Sequence, residues 1–171
     1  DLDAWNTLFR LADGDLTTTA AYHELQEYVD IPAMIDYMLM IYYVGSRDAP
    51  VLLCNDRVPR NFYAVRRREP AGPFLFVPWD VEWSLESPTV NRVNIVGQNN
   101  PHYLVDRLRF NEDFRVLMAD RIYERFFNDG VLTPGAAVER YMERANEIDR
   151  AIVGESARWG DSKRSRPYTR D

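Results

Sequence analysis

Residues 55–63 of the chain read Asn-Asp-Arg-Val-Pro-Arg-Asn-Phe-Tyr, and residues 74–83 read Phe-Leu-Phe-Val-Pro-Trp-Asp-Val-Glu-Trp. The runs at 62–67 and 74–77 predict two strands, because the segment between them has the Pro- and Gly-rich composition of a turn. The two strands therefore form a predicted hairpin. In that hairpin Asn61 begins one strand and Asp80 follows the end of the other, so their side chains lie at one end of the ribbon.

Three polar side chains around this hairpin suit phosphoryl transfer. Asp56 precedes Asn61 in a loop, and Asp80 ends the following strand. Kinases use an acid to orient a substrate hydroxyl, and an amide and a second acid to hold Mg²⁺ against a nucleotide phosphate. The Asp-x-x-x-x-Asn spacing alone is weak, since it recurs at 1–6 and 106–111 in segments with a helical pattern. The loop position ahead of a strand favours the pair at 56 and 61.

Composition limits the class of protein. The 171 residues suffice for one domain or one lobe of a larger one, and 46% hydrophobic residues can build a core. The net charge of -6 argues against general nucleic-acid binding. The longest apolar stretch, 38–44, is shorter than the roughly 20 residues of a membrane span. The acidic start of the chain does not resemble a signal peptide. The single Cys54 excludes an internal disulfide.

The distribution of lysine and glycine also affects the hypothesis that the protein is a kinase. Lys163 is the only lysine, and none of the eight glycines belongs to a Gly-rich phosphate loop. For a kinase, the loop that covers the phosphates and its partner lysine are then expected upstream. The chain is expected to be the second half of a catalytic domain.

Hydrophobic periodicity predicts an α+β chain that is mainly helical. Asp30 as cap and Gly45 as terminator delimit an apolar helix that is expected to be central and buried. Apolar stripes are expected to pack along the helices that follow Asn111 and Thr133. The predicted helices cover 4–12, 17–29, 31–44, 101–109, 111–130 and 133–152, and a polar tail covers 160–171.

Five segments together resemble the spore coat CotH-like kinase family, over nearly the whole chain: residues 30–37, 56–61, 74–83, 126–134 and 155–161. The Trp-Asp-x-acid element at 79–82 is the most specific of them. The resemblance implies that residues 1–171 are the C-terminal lobe of an atypical protein-kinase-like fold, with the hairpin carrying the metal-binding residues. It further implies ATP as donor, Mg²⁺ as cofactor, and Ser/Thr-containing coat or surface proteins as acceptors. A spore coat, cell surface or secreted location would fit these acceptors.

The resemblance also implies roles for individual residues. The loop acid would act on the substrate hydroxyl, Asn61 would bind the metal, and Asp80 would bridge metal and phosphate, with Glu82 as a further metal ligand. Two acids compete for the first role. Asp56 fits the spacing to Asn61 and is preferred, whereas Asp48, in Gly-Ser-Arg-Asp-Ala-Pro, fits the local wording of the family.

Other readings of the same residues stay open. Arg66, in the run 66–68, is a candidate for contact with the nucleotide phosphate. A pseudokinase-like coat or surface module would keep the acids for structure or for a cation. A hydrolase built on Asp56 and Asp80 satisfies the residue types, but the chain shows no signature of a substrate groove.

Overall fold

The computed structural model describes residues 1–52, 58–162 and 165–169. It confirms the predicted α+β class, since the described chain is mainly helical with one two-stranded antiparallel sheet. Two compact units divide it, Asp1–Glu124 and Arg125–Asp171. The elements in chain order are α1 (Leu2–Ala12), α2 (Thr19–Gln26), α3 (Ile31–Val44), β1 (Phe62–Val65), β2 (Leu75–Pro78), α4 (Pro101–Leu108), α5 (Glu112–Phe126) and α6 (Pro134–Trp159).

Helix α3 is the centre of the first unit, as its composition predicts. The Asp30 side chain caps it by accepting a hydrogen bond from the Ala33 amide at 2.9 Å. It ends at Gly45, whose left-handed backbone (φ +58°) suits glycine. Four of its side chains are fully buried: Met34, Ile35, Met38 and Ile41. The helix contacts both β2 and α4.

The two strands form the predicted hairpin. β1 and β2 are antiparallel, with Phe62 opposite Pro78 and Val65 opposite Leu75. One face of the hairpin packs inward through Phe76, whose ring lies 6.2 Å from that of Tyr37 in α3. The opposite face is exposed and apolar, and it consists of Tyr63, Val65, Leu75, Val77 and Trp79.

Backbone hydrogen bonds attach both ends of α3 to the chain around β2. Ahead of the helix, the Asp30 amide donates to the Phe74 carbonyl at 3.0 Å, and the Phe74 amide donates to the Tyr28 carbonyl at 2.8 Å. At the other end, the Leu85 amide donates to the Val44 carbonyl at 2.7 Å. The hairpin is therefore positioned by the helix on which it packs.

Two polar side chains fasten the turn between α1 and α2. Arg107 of α4 donates to the carbonyls of Ala12, Asp13 and Gly14 at 2.9, 3.3 and 3.0 Å. Asn111 is 1% exposed, and its amide nitrogen donates to the Leu16 carbonyl at 2.8 Å. Its amide oxygen accepts from the Phe114 amide at 3.0 Å, which caps α5 as the sequence predicts.

The second unit contains the long helix α6, which begins after Thr133 as predicted. The expected packing stripe is wrong for this helix, because α6 has no buried residue. Among the stripe residues Val138 and Tyr141 are 61% and 66% exposed. The periodicity predicts a helix with an apolar face, but it does not determine whether that face is covered. Within the described residues, no helix combines the length and apolar character of a membrane span.

Candidate active site

The site begins with a hydrogen bond between two of the predicted residues. Asn61 lies directly before β1, and its amide nitrogen donates to Oδ2 of Asp48 at 2.8 Å. The other carboxylate oxygen of Asp48, Oδ1, is buried and has no hydrogen-bond partner among the described residues. An ionised carboxylate can accept several hydrogen bonds. As far as the described part of the chain goes, Asp48 therefore keeps an unused acceptor next to Asn61.

Asp80 lies at the same end of the hairpin. The Trp79 amide donates to the Asn61 carbonyl at 3.2 Å, so Asn61 faces Trp79 across the ribbon and Asp80 is one residue further on. The predicted meeting of positions 61 and 80 at one hairpin end is thus seen in the backbone. The Asp80 side chain is exposed and forms no hydrogen bond or ion pair with the described residues.

Asn61 and Asp80 share an uncommon backbone conformation. Their φ angles are +54° and +52°, in the left-handed region that few residues other than glycine adopt. Asn and Asp tolerate this region better than other side chains, at a cost that is still of order 1 kcal/mol. At this one end of the hairpin, the chain entering β1 and the chain leaving β2 therefore each hold a polar side chain on strained backbone, which is a frequent property of functional sites.

The loop after α3 folds back to bring Asp48 to the hairpin. The Arg60 amide donates to the Pro50 carbonyl at 2.8 Å, and Val51 forms an isolated antiparallel bridge with Pro59. These contacts align the chain after Asp48 with the chain before Asn61. Asp56, the acid preferred from its spacing, lies outside the described residues, so its role stays a prediction.

The segment that follows β2 returns over the same loop. The Arg47 amide donates to the Trp83 carbonyl at 2.9 Å, and the Arg47 guanidinium lies 4.9 Å from the centroid of the Trp83 ring. The same guanidinium pairs with Glu86 at 3.1 Å. Glu82, which the resemblance implies as a further metal ligand, is exposed on this segment. These contacts hold Arg47, which precedes Asp48, against the segment that follows Asp80.

Arg92 is buried against the loop that carries Asp48, and no sequence pattern pointed to it. It is 2% exposed, and its guanidinium donates to three backbone carbonyls of the loop, those of Arg47 at 3.4 Å, of Ala49 at 3.2 Å, and of Val51. Burial lowers the pKa of the Arg92 guanidinium, and the nearby Asp48 carboxylate acts in the opposite direction. A sequence signal for this residue is lacking, because a single arginine in an irregular segment is usually exposed.

His102 supports the segment that carries Arg92. It is 2% exposed in α4, and its Nε2 is 2.9 Å from the Val93 carbonyl, to which it donates. Burial lowers the pKa of the His102 imidazole, more than the hydrogen bond to Val93 raises it, so the ring is neutral at pH 7. His102 is thus a structural residue that fixes the turn next to Arg92.

Arg66 lies elsewhere. It follows the last residue of β1, whereas Asn61 precedes the first, so the two are about 16 Å apart along the strand at about 3.3 Å per residue. The Arg66 guanidinium lies 5.2 Å from the centroid of the Phe74 ring. The structure does not bring Arg66 together with Asp48, Asn61 and Asp80.

The donor set is compatible with Mg²⁺. Among the described residues, no group of three or more His, Cys, Asp and Glu side chains could hold a metal ion. Mg²⁺, however, commonly takes only one or two carboxylates and completes its shell with water and substrate phosphates. The Asn61 amide oxygen and the exposed carboxylates of Asp80 and Glu82 are oxygen donors of the required kind.

Comparison with known proteins identifies the family. A search of curated proteins gives no match, and neither does a search of solved structures. The model of the family described as CotH kinase protein matches residues 2–170, which is essentially the whole chain. The resemblance noted in the sequence is thereby confirmed: the chain belongs to the CotH kinase family.

Proposed function

We propose that this chain supplies the catalytic and metal-holding half of an ATP- and Mg²⁺-dependent kinase that phosphorylates Ser or Thr residues of proteins. The observation that carries the proposal is the hydrogen bond between Asn61 and Asp48 at the hairpin end where Asp80 also lies. Membership of the CotH kinase family supports the reaction class. Coat or surface proteins rich in Ser and Thr are the proposed acceptors on the same basis.

Phosphate transfer needs a carboxylate that acts as a base and accepts the proton of the substrate hydroxyl. The oxygen of the acceptor hydroxyl attacks the γ-phosphorus of ATP, the bond from that phosphorus to the oxygen of ADP breaks, and the hydroxyl proton passes to a carboxylate. Asp48 Oδ1 is a buried acceptor without a partner among the described residues, so it can receive this proton. Asn61 holds the other oxygen of the same carboxylate at 2.8 Å and thereby fixes its orientation.

Asn61 and Asp80 would hold Mg²⁺, with Glu82 as a further ligand. A bound Mg²⁺ would neutralise charge on the transferred phosphate. The amide oxygen of Asn61 is the group available for this task, because its nitrogen is engaged by Asp48. The exposed carboxylate of Asp80 is accessible to a metal–nucleotide complex.

Two acids compete for the proton-accepting role, and substitution separates them. Purified full-length protein is incubated with MgCl₂, radiolabelled ATP and dephosphorylated casein, and incorporation is compared for wild type, Asp48→Asn and Asp56→Asn. The geometry predicts a loss of about 100-fold for Asp48→Asn, similar to other catalytic bases. A normal rate for Asp48→Asn together with an inactive Asp56→Asn would assign the role to Asp56, as the spacing suggests.

A non-catalytic binding module is the second candidate. The exposed apolar face of the hairpin favours it, because five neighbouring apolar side chains on one sheet face are a common feature of interaction surfaces. The casein assay with Asp80→Asn separates the two candidates. Incorporation by wild type that is lost in this folded variant supports the kinase. No incorporation by wild type, with partner binding unchanged in Asp80→Asn, supports the module.

A further inference from the structure

We infer that Arg92 is a positioning residue, which holds the Asp48 loop in the shape that phosphate transfer requires. This inference rests on the proposed function of Asp48 and Asn61. Arg92 does not reach the reacting atoms in this proposal; it acts through the loop backbone. Its guanidinium donates to the carbonyls of residues 47, 49 and 51, of which the first two flank Asp48.

The arrangement is a clamp rather than an ordinary ion pair. No side-chain hydrogen bond joins Arg92 to Asp48; the guanidinium donates to backbone carbonyls on both sides of that residue. A planar guanidinium presents several donors in a fixed fork, so carbonyls that bind it together must keep fixed relative positions. The direction of the Asp48 side chain is set by that backbone. Arg92 therefore determines whether Asp48 can meet Asn61.

Burial makes this clamp costly to break. Arg92 is 2% exposed, so a side chain without donors leaves the loop carbonyls unpaired in the interior. Its Nε is also buried without a hydrogen-bond partner among the described residues, so one donor of the guanidinium stays unsatisfied there. Burying a charged side chain costs more desolvation free energy than burying a neutral hydrogen-bond donor would. The nearby Asp48 carboxylate, which favours the charged form of Arg92, gives a reason for a cation at this position.

The chain offers a matched control in Arg107. Its guanidinium also donates to three backbone carbonyls, those of the consecutive residues Ala12, Asp13 and Gly14, and therefore also holds a turn in place. That turn joins α1 to α2 and carries none of the proposed site residues. Loss of Arg107 should lower stability without changing the Asp48 loop.

The test compares Arg92→Met, Arg92→Lys and Arg107→Met in the full-length protein. Two quantities are measured: phosphate transfer from ATP to casein, and the side-chain amide signal of Asn61 in a ¹⁵N-labelled sample, assigned by its absence in Asn61→Ala. We expect Arg92→Met to lower kcat about 100-fold, as misplacement by about 1 Å can do, with the KM for ATP nearly unchanged. The Asn61 signal should lose its hydrogen-bonded shift. Arg107→Met should keep the wild-type kcat and the wild-type Asn61 signal. Arg92→Lys should show smaller changes than Arg92→Met in both quantities.

Different results overturn different claims. Arg92→Met with the wild-type Asn61 signal and normal transfer would overturn the positioning role. Equal losses in Arg92→Met and Arg107→Met would also overturn it, since both would then report general destabilisation. If Arg92→Met does not fold, Arg92→Lys decides by the same two readouts. A wild type that transfers no phosphate would refute the proposed function, while the Asn61 signal would still test Arg92.

Discussion

The left-handed backbone of Asp80 leads to a prediction that separates the effect of this residue on stability from its effect on activity. Asp80 has φ +52°, and its exposed side chain makes no bond with the described residues. Its removal therefore costs stability only through the backbone. An alanine in this conformation is disfavoured by about 1–2 kcal/mol, whereas glycine is not.

The expected magnitude follows from these two terms. Glycine loses about 0.5–1 kcal/mol through the greater freedom of its unfolded chain, which offsets part of its advantage. Asp80→Gly should thus be more stable than Asp80→Ala by about 1 kcal/mol, or about 2–4 °C in Tm for a chain of this size. Both variants should lose phosphate transfer by about 100-fold or more, since each lacks the carboxylate. Urea unfolding and the casein assay measure the two effects.

A control at an ordinary backbone position gives the opposite order. Glu27 is exposed and has φ −66°, so Glu27→Gly should be less stable than Glu27→Ala. Equal stability of the two Asp80 variants, or a more stable Asp80→Ala, would refute the left-handed conformation. Full activity of Asp80→Gly would refute a role for the carboxylate in transfer.

Three further variants test the support of the site. Asn111→Ala should cost about 2–4 kcal/mol in urea unfolding, because it removes a helix cap and leaves a buried carbonyl unpaired; a cost below about 1 kcal/mol would contradict this. Gly45→Ala should cost about 1–2 kcal/mol, because it places a methyl group 3.3 Å from the Val90 side chain at φ +58°, whereas Gly135→Ala, with open space around it, should not destabilise. His102 has a lowered pKa when folded, so the unfolded chain takes up its proton first as the pH falls below about 6.5, the ordinary pKa of a histidine, and stability should fall there. Thermal melts between pH 7 and pH 5 should show a shallower loss for His102→Gln, and identical slopes would refute a neutral buried ring.

The ends of α3 could be predicted because their causes are local. Asp30 caps the helix and Gly45 ends it, and both effects act within one turn of the chain. The hairpin was equally predictable from its Pro- and Gly-rich turn. The predicted second helix, in contrast, is too long, because Val29 leaves the helix to form a bridge with Phe74. That contact joins distant parts of the chain and has no local signal.

The site was predictable in part for the same reason. Asn61 and Asp80 lie at the same end of a hairpin, which follows from the strand pairing. The bond between Asn61 and Asp48 depends on a loop that folds back over Arg92, so spacing in the sequence could not reveal it. Spacing favoured Asp56 instead, and that choice stays a prediction.

Because α3 is attached to the chain at both ends, the length of this helix determines how the two ends of the segment that contains β2 are placed. Its 14 residues span about 21 Å at 1.5 Å per residue, and Asp30 and Val44 at its two limits bind the chain before and after β2. An inserted or deleted residue inside the helix would turn one anchor by about 100° relative to the other. A single residue added to or removed from α3 would therefore move the chain before β2 relative to the chain after it, and with it the end of the hairpin at which Asn61 and Asp80 lie.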